Sequence, residues 1–304
     1  MAYVLMDVGG TQIKALACEG PALPREKIRT FDARSNFPKD EVFQNFSDII
    51  AALLSGLPEG KKGLQGVGMA FPGPFDYRKG ISYMQGIGKY DSIYGCSVRD
   101  EIKKRLPRQI TEKVRFTFLH DVEAFAVGEM RFGAAADSRR AVCVCIGTGA
   151  GSAFTENGRV LRGPADGVPE NGWIYRFPFR DGILDDYVSA RGLKRISRRF
   201  FDPVPDGAEL SSLCDRGDPR AFAAFEEFGK VLSEALAPFL KSFHPDTLVL
   251  GGQISKSYRR FGKALDDLCE RLRIRVKVSP DTSGSILKGL LCAAGSPAFG
   301  AGAI

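Results

Sequence analysis

Two aspartates and two glycine-rich turns are the residues best suited to chemistry in this chain. Asp7 ends a short apolar stretch and is followed by Gly9, Gly10 and Thr11, with Lys14 shortly after. A second turn, Gly147, Thr148 and Gly149, follows another apolar stretch from Ala141 to Ile146. Glycines placed after a strand let several backbone N–H groups converge on one anion, and two such turns facing each other would hold a polyphosphate from both sides. Asp7 would repel phosphate directly. A carboxylate at a strand end can instead hold a hydrated Mg²⁺ that offsets the phosphate charge, and Thr11 and Lys14 supply further donors. Asp121 follows the apolar run Val114 to Leu119 and opens a helical stretch. A carboxylate there suits a general base that takes the proton of a hydroxyl attacking a phosphoryl group. Taken singly, each feature also reads as an ordinary tight turn or an ordinary N-cap. Their occurrence at matching places in two halves favours phosphoryl chemistry.

The elements that must position these residues repeat as well. Tyr3 to Asp7 and Thr11 to Cys18 predict a hairpin around the first turn, and Ala141 to Ile146 and Ser152 to Thr155 predict another around the second. Apolar residues at Phe43, Phe46, Ile49, Ile50, Leu53 and Leu54 have helical spacing and predict a helix over Val42 to Leu57. Leu64 to Phe71 reads as a strand closed by Pro72-Gly73-Pro74. Ser97 caps a helix running to Leu106, and Asp121 starts one ending near Arg131. Further on, the pattern predicts a long helix over Pro219 to Phe243, a strand over Thr247 to Leu250 and a helix over Ser255 to about Arg271. A strand over Ile274 to Val278 and a closing helix over Ile286 to Ala294 complete the reading. The architecture is duplicated without a visible sequence repeat.

Bulk properties set limits. The chain has 304 residues, 44% hydrophobic and 26% charged, the values of a globular protein. No apolar stretch approaches the roughly 20 residues of a membrane span, and nothing resembles a signal peptide, so a cytoplasmic location without membrane association is expected. The seven cysteines are scattered without a CxxC pair, as expected of buried free thiols. Net charge is +7, but Lys and Arg are spread along the chain. The densest run, Arg191 to Arg199, reads as a polar helix face. Attraction of anionic nucleotides accounts for the excess, and no nucleic-acid partner is expected.

At this point the residues resemble a known family. Asp7-Val8-Gly9-Gly10-Thr11-Gln12-Ile13-Lys14 is similar to the first phosphate motif of the ROK family of repressors and sugar kinases. Residues His120 to Glu129 (HDVEAFAVGE) resemble its catalytic segment, and Cys145 to Gly151 its second phosphate motif. Leu248 to Ser255 (LVLGGQIS) resembles its adenosine motif, and Phe71 to Asp76 (FPGPFD) its sugar-lobe segment. The resemblance implies an α/β, two-lobed, duplicated actin-like (ribonuclease H-like) ATPase fold with a nucleotide cleft between lobes. The lobes would be residues 1–118 and 119–304, with a C-terminal helix near 290–304 packing on the first. It implies ATP and Mg²⁺ as cofactors, Gly251 and Gly252 bordering the adenine site, and Gly73 on the acceptor side. Homodimers are usual in the family.

The departures fall on the acceptor side. Glu170-Asn171-Gly172-Trp173 keeps the family's glutamate but has Trp in place of a zinc- and sugar-binding histidine, and the family's cysteine cluster is missing. With two histidines in the chain, no zinc site is expected. The family's later sugar-binding glutamate aligns with Asp185. Glu170 and Asp185 would therefore meet vicinal hydroxyls, Trp173 would stack on a sugar face or sit in the core, and Arg162 and Arg176 suit an anionic acceptor instead. The reading is an ATP-dependent phosphotransferase acting on a hydroxyl of a sugar or sugar-like molecule, glucokinase-like or hexosamine-kinase-like by resemblance. The alternatives are a non-catalytic sugar or nucleotide sensor of the same fold and a kinase for a non-sugar acceptor. A repressor of the family would need a helix-turn-helix segment ahead of the phosphate strand, where this chain opens.

Overall fold

The computed structural model describes residues 2–20, 23–57, 64–164 and 167–295. The described residues form two compact units, one from those in 1–128 and 283–303, the other from 129–282. The first unit is built on a five-stranded sheet. Strand β1 (Ala2–Val8) pairs antiparallel with β2 (Gln12–Glu19), which pairs antiparallel with β3 (Arg29–Asp32). On its other side β1 pairs parallel with β4 (Leu64–Phe71), and β4 with β5 (Arg115–His120). The central strands are apolar on both faces: Val4, Leu5 and Met6 are fully buried, as are Val67, Met69 and Phe71. A parallel strand covered on both sides needs this composition.

The helix Lys39–Leu54 buries Val42, Phe43, Phe46, Ile49, Ile50 and Leu53, the face predicted from spacing. Phe46 and Phe71 meet edge to face at 5.9 Å, and Tyr90 packs at 5.3 Å from Phe71. The helices Asp121–Phe132 and Thr282–Gly295 cross in the same unit at a pair of glycines. A Cβ on Gly128 would overlap the Ser285 carbonyl oxygen, and one on Gly289 would overlap the Ala124 carbonyl oxygen. The expected helix near 290–304 is therefore described as far as Gly295, and residues 296–304 lie outside the described residues.

The second unit repeats the arrangement. Strand β6 (Arg140–Ile146) pairs antiparallel with β7 (Ala150–Glu156), which pairs antiparallel with β8 (Arg159–Leu161). Beyond β6, the strands β9 (Thr247–Gly251) and β10 (Arg275–Val278) continue in parallel. The orders β3-β2-β1-β4-β5 and β8-β7-β6-β9-β10 match strand for strand in direction. Both third strands, β3 and β8, escaped the sequence reading. They are four and three residues long and mostly exposed or half-buried, so they carry little apolar signal.

The core of this unit forms under the helix Pro219–Phe243, which buries Phe225, Phe228, Leu232, Leu236 and Phe243. The helix expected over Ser255 to Arg271 is broken into Ile254–Ser257, Tyr258–Phe261 and Lys263–Arg271. Next to one of the breaks the segment packs tightly on the long helix. The Phe261 carbonyl presses so closely on Gly229 of the long helix that a Cβ there would overlap it. The basic run forms the helix Ala190–Ser197 and its exit, and its arginines find acids: Arg195 meets Asp181 at 3.1 Å, and Arg199 pairs with Glu227. All seven cysteines are free thiols. No helix among the described residues is long and apolar enough to cross a membrane.

The glycine crossing gives a stability test. Gly289→Ala should destabilise the protein by about 1–3 kcal/mol or more, because backbone rather than a flexible side chain must yield. Urea unfolding should show the lowered midpoint.

Candidate active site

In the first unit, four side chains from three parts of the chain gather at the end of β1. Asp7 lies opposite Lys14 in the β1–β2 register, so the two side chains rise from one face of the hairpin. Lys14 Nζ donates to Ser283 Oγ at 3.0 Å, and Ser283 and Lys14 both favour the charged form of the Asp7 carboxyl. Burial, then the nearby Asp121 carboxylate, push the Asp7 carboxyl up to about 7, against the opposing pull of Ser283 and Lys14. Ser283 was not found from sequence. It is the second residue of the last helix, far along the chain, and only packing of that helix brings it to Lys14.

The first glycine turn is held from behind. Gly9 N–H donates to the Gln12 carbonyl at 3.0 Å, and a Cβ on Gly9 would lie 2.7 Å from that oxygen. The buried Tyr90 hydroxyl donates to the Gly9 carbonyl at 2.9 Å, and Ser35 Oγ donates to the Gly10 carbonyl at 2.5 Å. With its carbonyls tied back, the turn presents its outer edge, where Thr11 is exposed. Tyr90 and Ser35 are likewise residues that no local motif announced.

Asp121 is the first residue of its helix, immediately after β5. Its Oδ1 accepts from the Val122 N–H at 2.8 Å and lies 3.1 Å from His120 Nδ1. Both contacts fall on one oxygen, so Oδ2 carries no hydrogen bond among the described residues. Asp121 is 41% exposed through its side chain, open enough for an incoming hydroxyl. Gly73 is close by: a Cβ there would lie 3.4 Å from Tyr77 Oη and 3.9 Å from His120 Cδ2. Tyr77 packs edge-on against His120 at 5.9 Å and donates to the Phe71 carbonyl.

In the second unit the turn after β6 is closed by Gly147 N–H donating to the Gly149 carbonyl at 2.9 Å, with Thr148 exposed at its tip. Gly251 ends β9, and Gly252 has φ +88 with its Cα against the Ile146 carbonyl, so only glycine fits. Gly252 N–H donates to Thr282 Oγ1 at 2.9 Å, and Ser255 Oγ caps the Gly251 carbonyl at 2.6 Å. The second phosphate turn and the adenosine motif are thus neighbours.

Asp185 stands on this turn. It accepts from the Ala150 N–H at 2.6 Å, pairs with Arg191, and its Oδ1 lies 2.7 Å from where a Cβ on Gly149 would be. Ala190 N–H donates to the Gly147 carbonyl at 2.8 Å, a second link from the same segment. Glu170 is elsewhere in the unit, on the wall of a cavity of about 310 Å³ that also includes Trp173. Trp173 is half-buried there.

The donor set around Asp7 suits a hydrated divalent cation. Two carboxylates lie close enough for one to raise the other's pKa, with Lys14 opposing them. Among the described residues, no group of three or more His, Cys, Asp or Glu side chains could hold a metal ion.

Duplicated sheets with a strand, glycine turn, strand hairpin at the centre of each define an actin-like ATPase fold. The chain belongs to the ROK family, whose model matches residues 3–284. It is 27% identical over 280 residues to a glucokinase of Halalkalibacterium halodurans, covering 84% of this chain and 81% of that protein. It is 25% identical to an N-acetyl-D-glucosamine kinase of Salmonella paratyphi C, covering 89% of this chain and 88% of that one. A ROK family glucokinase from Streptomyces griseus, solved in complex with glucose and AMPPNP, superposes with a TM-score of 0.69 at 20% identity. That match covers 96% of this chain and 98% of the other.

The raised Asp7 carboxyl has a consequence for stability. Its ordinary value is 3.8 and its folded value about 7. The folded protein therefore keeps a proton that the unfolded chain has lost, and that contribution, full below about 4, is lost as pH rises through 7. Asp7→Asn, which mimics the protonated form, should match the wild type near pH 4 and be more stable at pH 8. Denaturant melts across that range read the difference directly.

Proposed function

We propose that the protein transfers the γ-phosphoryl group of ATP to a hydroxyl of a sugar-like small molecule. The convergence of Asp7, Lys14, Ser283 and Asp121 on the first glycine turn is the observation that carries this reading. Asp121 is the general base: Oδ1 accepts from the Val122 N–H and lies 3.1 Å from His120 Nδ1, and Oδ2 accepts the proton of the acceptor hydroxyl. Backbone N–H groups of Gly9, Gly10 and Thr11 and of Gly147 to Gly149 receive the phosphates, and Gly251 and Gly252 border the adenosine. Mg²⁺ held through Asp7 would neutralise phosphate charge, which is the chemistry it supplies in such reactions. Lys14, fixed by Ser283, is a donor to the same phosphates. Family membership and the two kinase relatives support the activity.

Asp185 takes a different part from the one its alignment implies for a sugar ligand. Its hydrogen bond from Ala150 and its pairing with Arg191 support a positioning role, holding the second phosphate turn in shape. One methylene shorter than glutamate, it reaches the turn above it instead of a ligand.

ADP release with Mg·ATP and a panel of hexoses, hexosamines and sugar acids tests the activity. One acceptor should stimulate it, and Asp121→Asn should lower kcat by roughly 10²–10⁴-fold while nucleotide binding persists. Turnover retained in Asp121→Asn would remove Asp121 from the base role. Asp185→Ala should raise KM for ATP more than KM for the acceptor; the reverse pattern would return Asp185 to the acceptor side.

A further inference from the structure

The cavity in the second unit is lined by Glu170, Asn171, Trp173, Arg176, Phe177 and Pro178. Its shape follows from a left-handed step at Asn171 (φ 55) and Gly172 (φ 69), which brings Glu170 and Trp173 to one wall. Ser152 fixes that step to the sheet: its Oγ donates to the Gly172 carbonyl at 2.5 Å and accepts from the Ile174 N–H at 3.0 Å. At about 310 Å³ the cavity is at the small end of ligand pockets and has room for a single sugar ring.

Its charges are the informative feature. Arg176 lies 5.1 Å from the Tyr175 ring centre and 5.8 Å from that of Trp173. Stacking of this kind leaves the N–H edge of the guanidinium available for a planar anion. Other arginines of this region have carboxylate partners: Arg180 with Glu234 at 2.5 Å, Arg195 with Asp181, Arg199 with Glu227, and Arg191 with Asp185. Arg176 forms no ion pair among the described residues. Glu170 lines the same cavity and forms none either, so the two opposite charges stay more than the ion-pair distance of 4.0 Å apart. The second acid expected beside an acceptor, Asp185, is engaged with Ala150 and Arg191 on the phosphate turn. The cavity therefore offers one carboxylate for hydroxyl groups, an aromatic wall for a ring's C–H face, and one uncompensated cation.

We propose that this cavity takes a monosaccharide bearing an anionic substituent, with Arg176 binding the anion, Glu170 accepting from ring hydroxyls and Trp173 stacking on the ring. A carboxylate and a phosphate ester share that chemistry, and the carboxylate fits the fork of a guanidinium edge in one plane. The proposal rests on the kinase reading only in treating the ligand as the phosphoryl acceptor. Arg176 is exposed, and it acts as a specificity-determining residue by adding a charged pairing that a neutral sugar does not make.

Trp173 is the only tryptophan in the chain, so its fluorescence reports on this cavity whether or not catalysis occurs. The protein is titrated with glucuronate, gluconate, glucose 6-phosphate and glucose. At least one anionic sugar should saturate the emission change at a concentration about tenfold or more below glucose. Arg176→Gln should weaken anionic-sugar binding to about the level of glucose binding to the same variant, and Arg176→Lys should restore part of it. Comparison of the carboxylates with the phosphate ester identifies which anion is read. Glucose binding as tightly as every anionic sugar, an Arg176→Gln variant with unchanged affinity for the anion, or no saturable response to any of them overturns the proposal. ADP release separates the two readings. A neutral hexose as best acceptor, indifferent to Arg176→Gln, overturns the anion specificity and keeps the kinase. Tight anionic binding without ADP release from any acceptor keeps the cavity's specificity and rejects the kinase.

Discussion

A carboxylate buried beside another of like charge is costly, and the first unit is organised around sustaining that cost at Asp7. The residue sits near the end of the central strand, where parallel pairing to β4 and antiparallel pairing to β2 fix its backbone and leave its side chain half-buried. Lys14 across the hairpin and Ser283 from the last helix offset part of the charge, yet the carboxyl still rests near 7. The remaining imbalance is what a cation and a polyphosphate are suited to relieve. The fold holds this strain through the hydrophobic core beneath it: Phe46, Phe71 and Tyr90 pack as one aromatic group, and Tyr90 reaches from that group to the Gly9 carbonyl. Packing and site geometry are therefore linked by one side chain.

The second unit uses the same sheet for a different purpose. Its central strand ends in Ile146, and the following turn is supported by a side chain rather than confronted by one. Asp185, secured by Arg191, lies against Gly149 and receives the Ala150 N–H. The segment that carries Asp185 also continues into the cavity wall: Asp185 N–H donates to the Tyr175 carbonyl at 3.2 Å, and Leu184 N–H to the Phe177 carbonyl at 2.9 Å. Phosphate turn and aromatic cavity are thus parts of one hydrogen-bonded surface. Asp185 paired with Arg191, and Arg176 without an acid among the described residues, set the charge along this surface.

Four of the five strands of each sheet were readable, the central ones because they are apolar runs ending in glycine turns. Strand and helix patterning also located Asp121, since a carboxylate between an apolar strand and an amphipathic helix is a local feature. The short edge strands Arg29–Asp32 and Arg159–Leu161 were missed because half-exposed polar residues carry no periodic signal. The break before Lys263, at Gly262, was missed because the apolar spacing continues across it from Phe261 to Leu265 and Leu268.

The sequence by itself determined what depends on neighbours along the chain: the two glycine hairpins, the carboxylates at strand ends, and the family to which the chain belongs. Tertiary structure alone decided what depends on residues distant in the chain. It chose Ser283 as the partner of Lys14, directed the Asp185 carboxylate onto a backbone N–H, and left Arg176 without an acid while supplying one to Arg180, Arg191, Arg195 and Arg199. The physical reason is that a charge takes its environment from whatever packs within a few ångströms, and sequence order does not specify those neighbours.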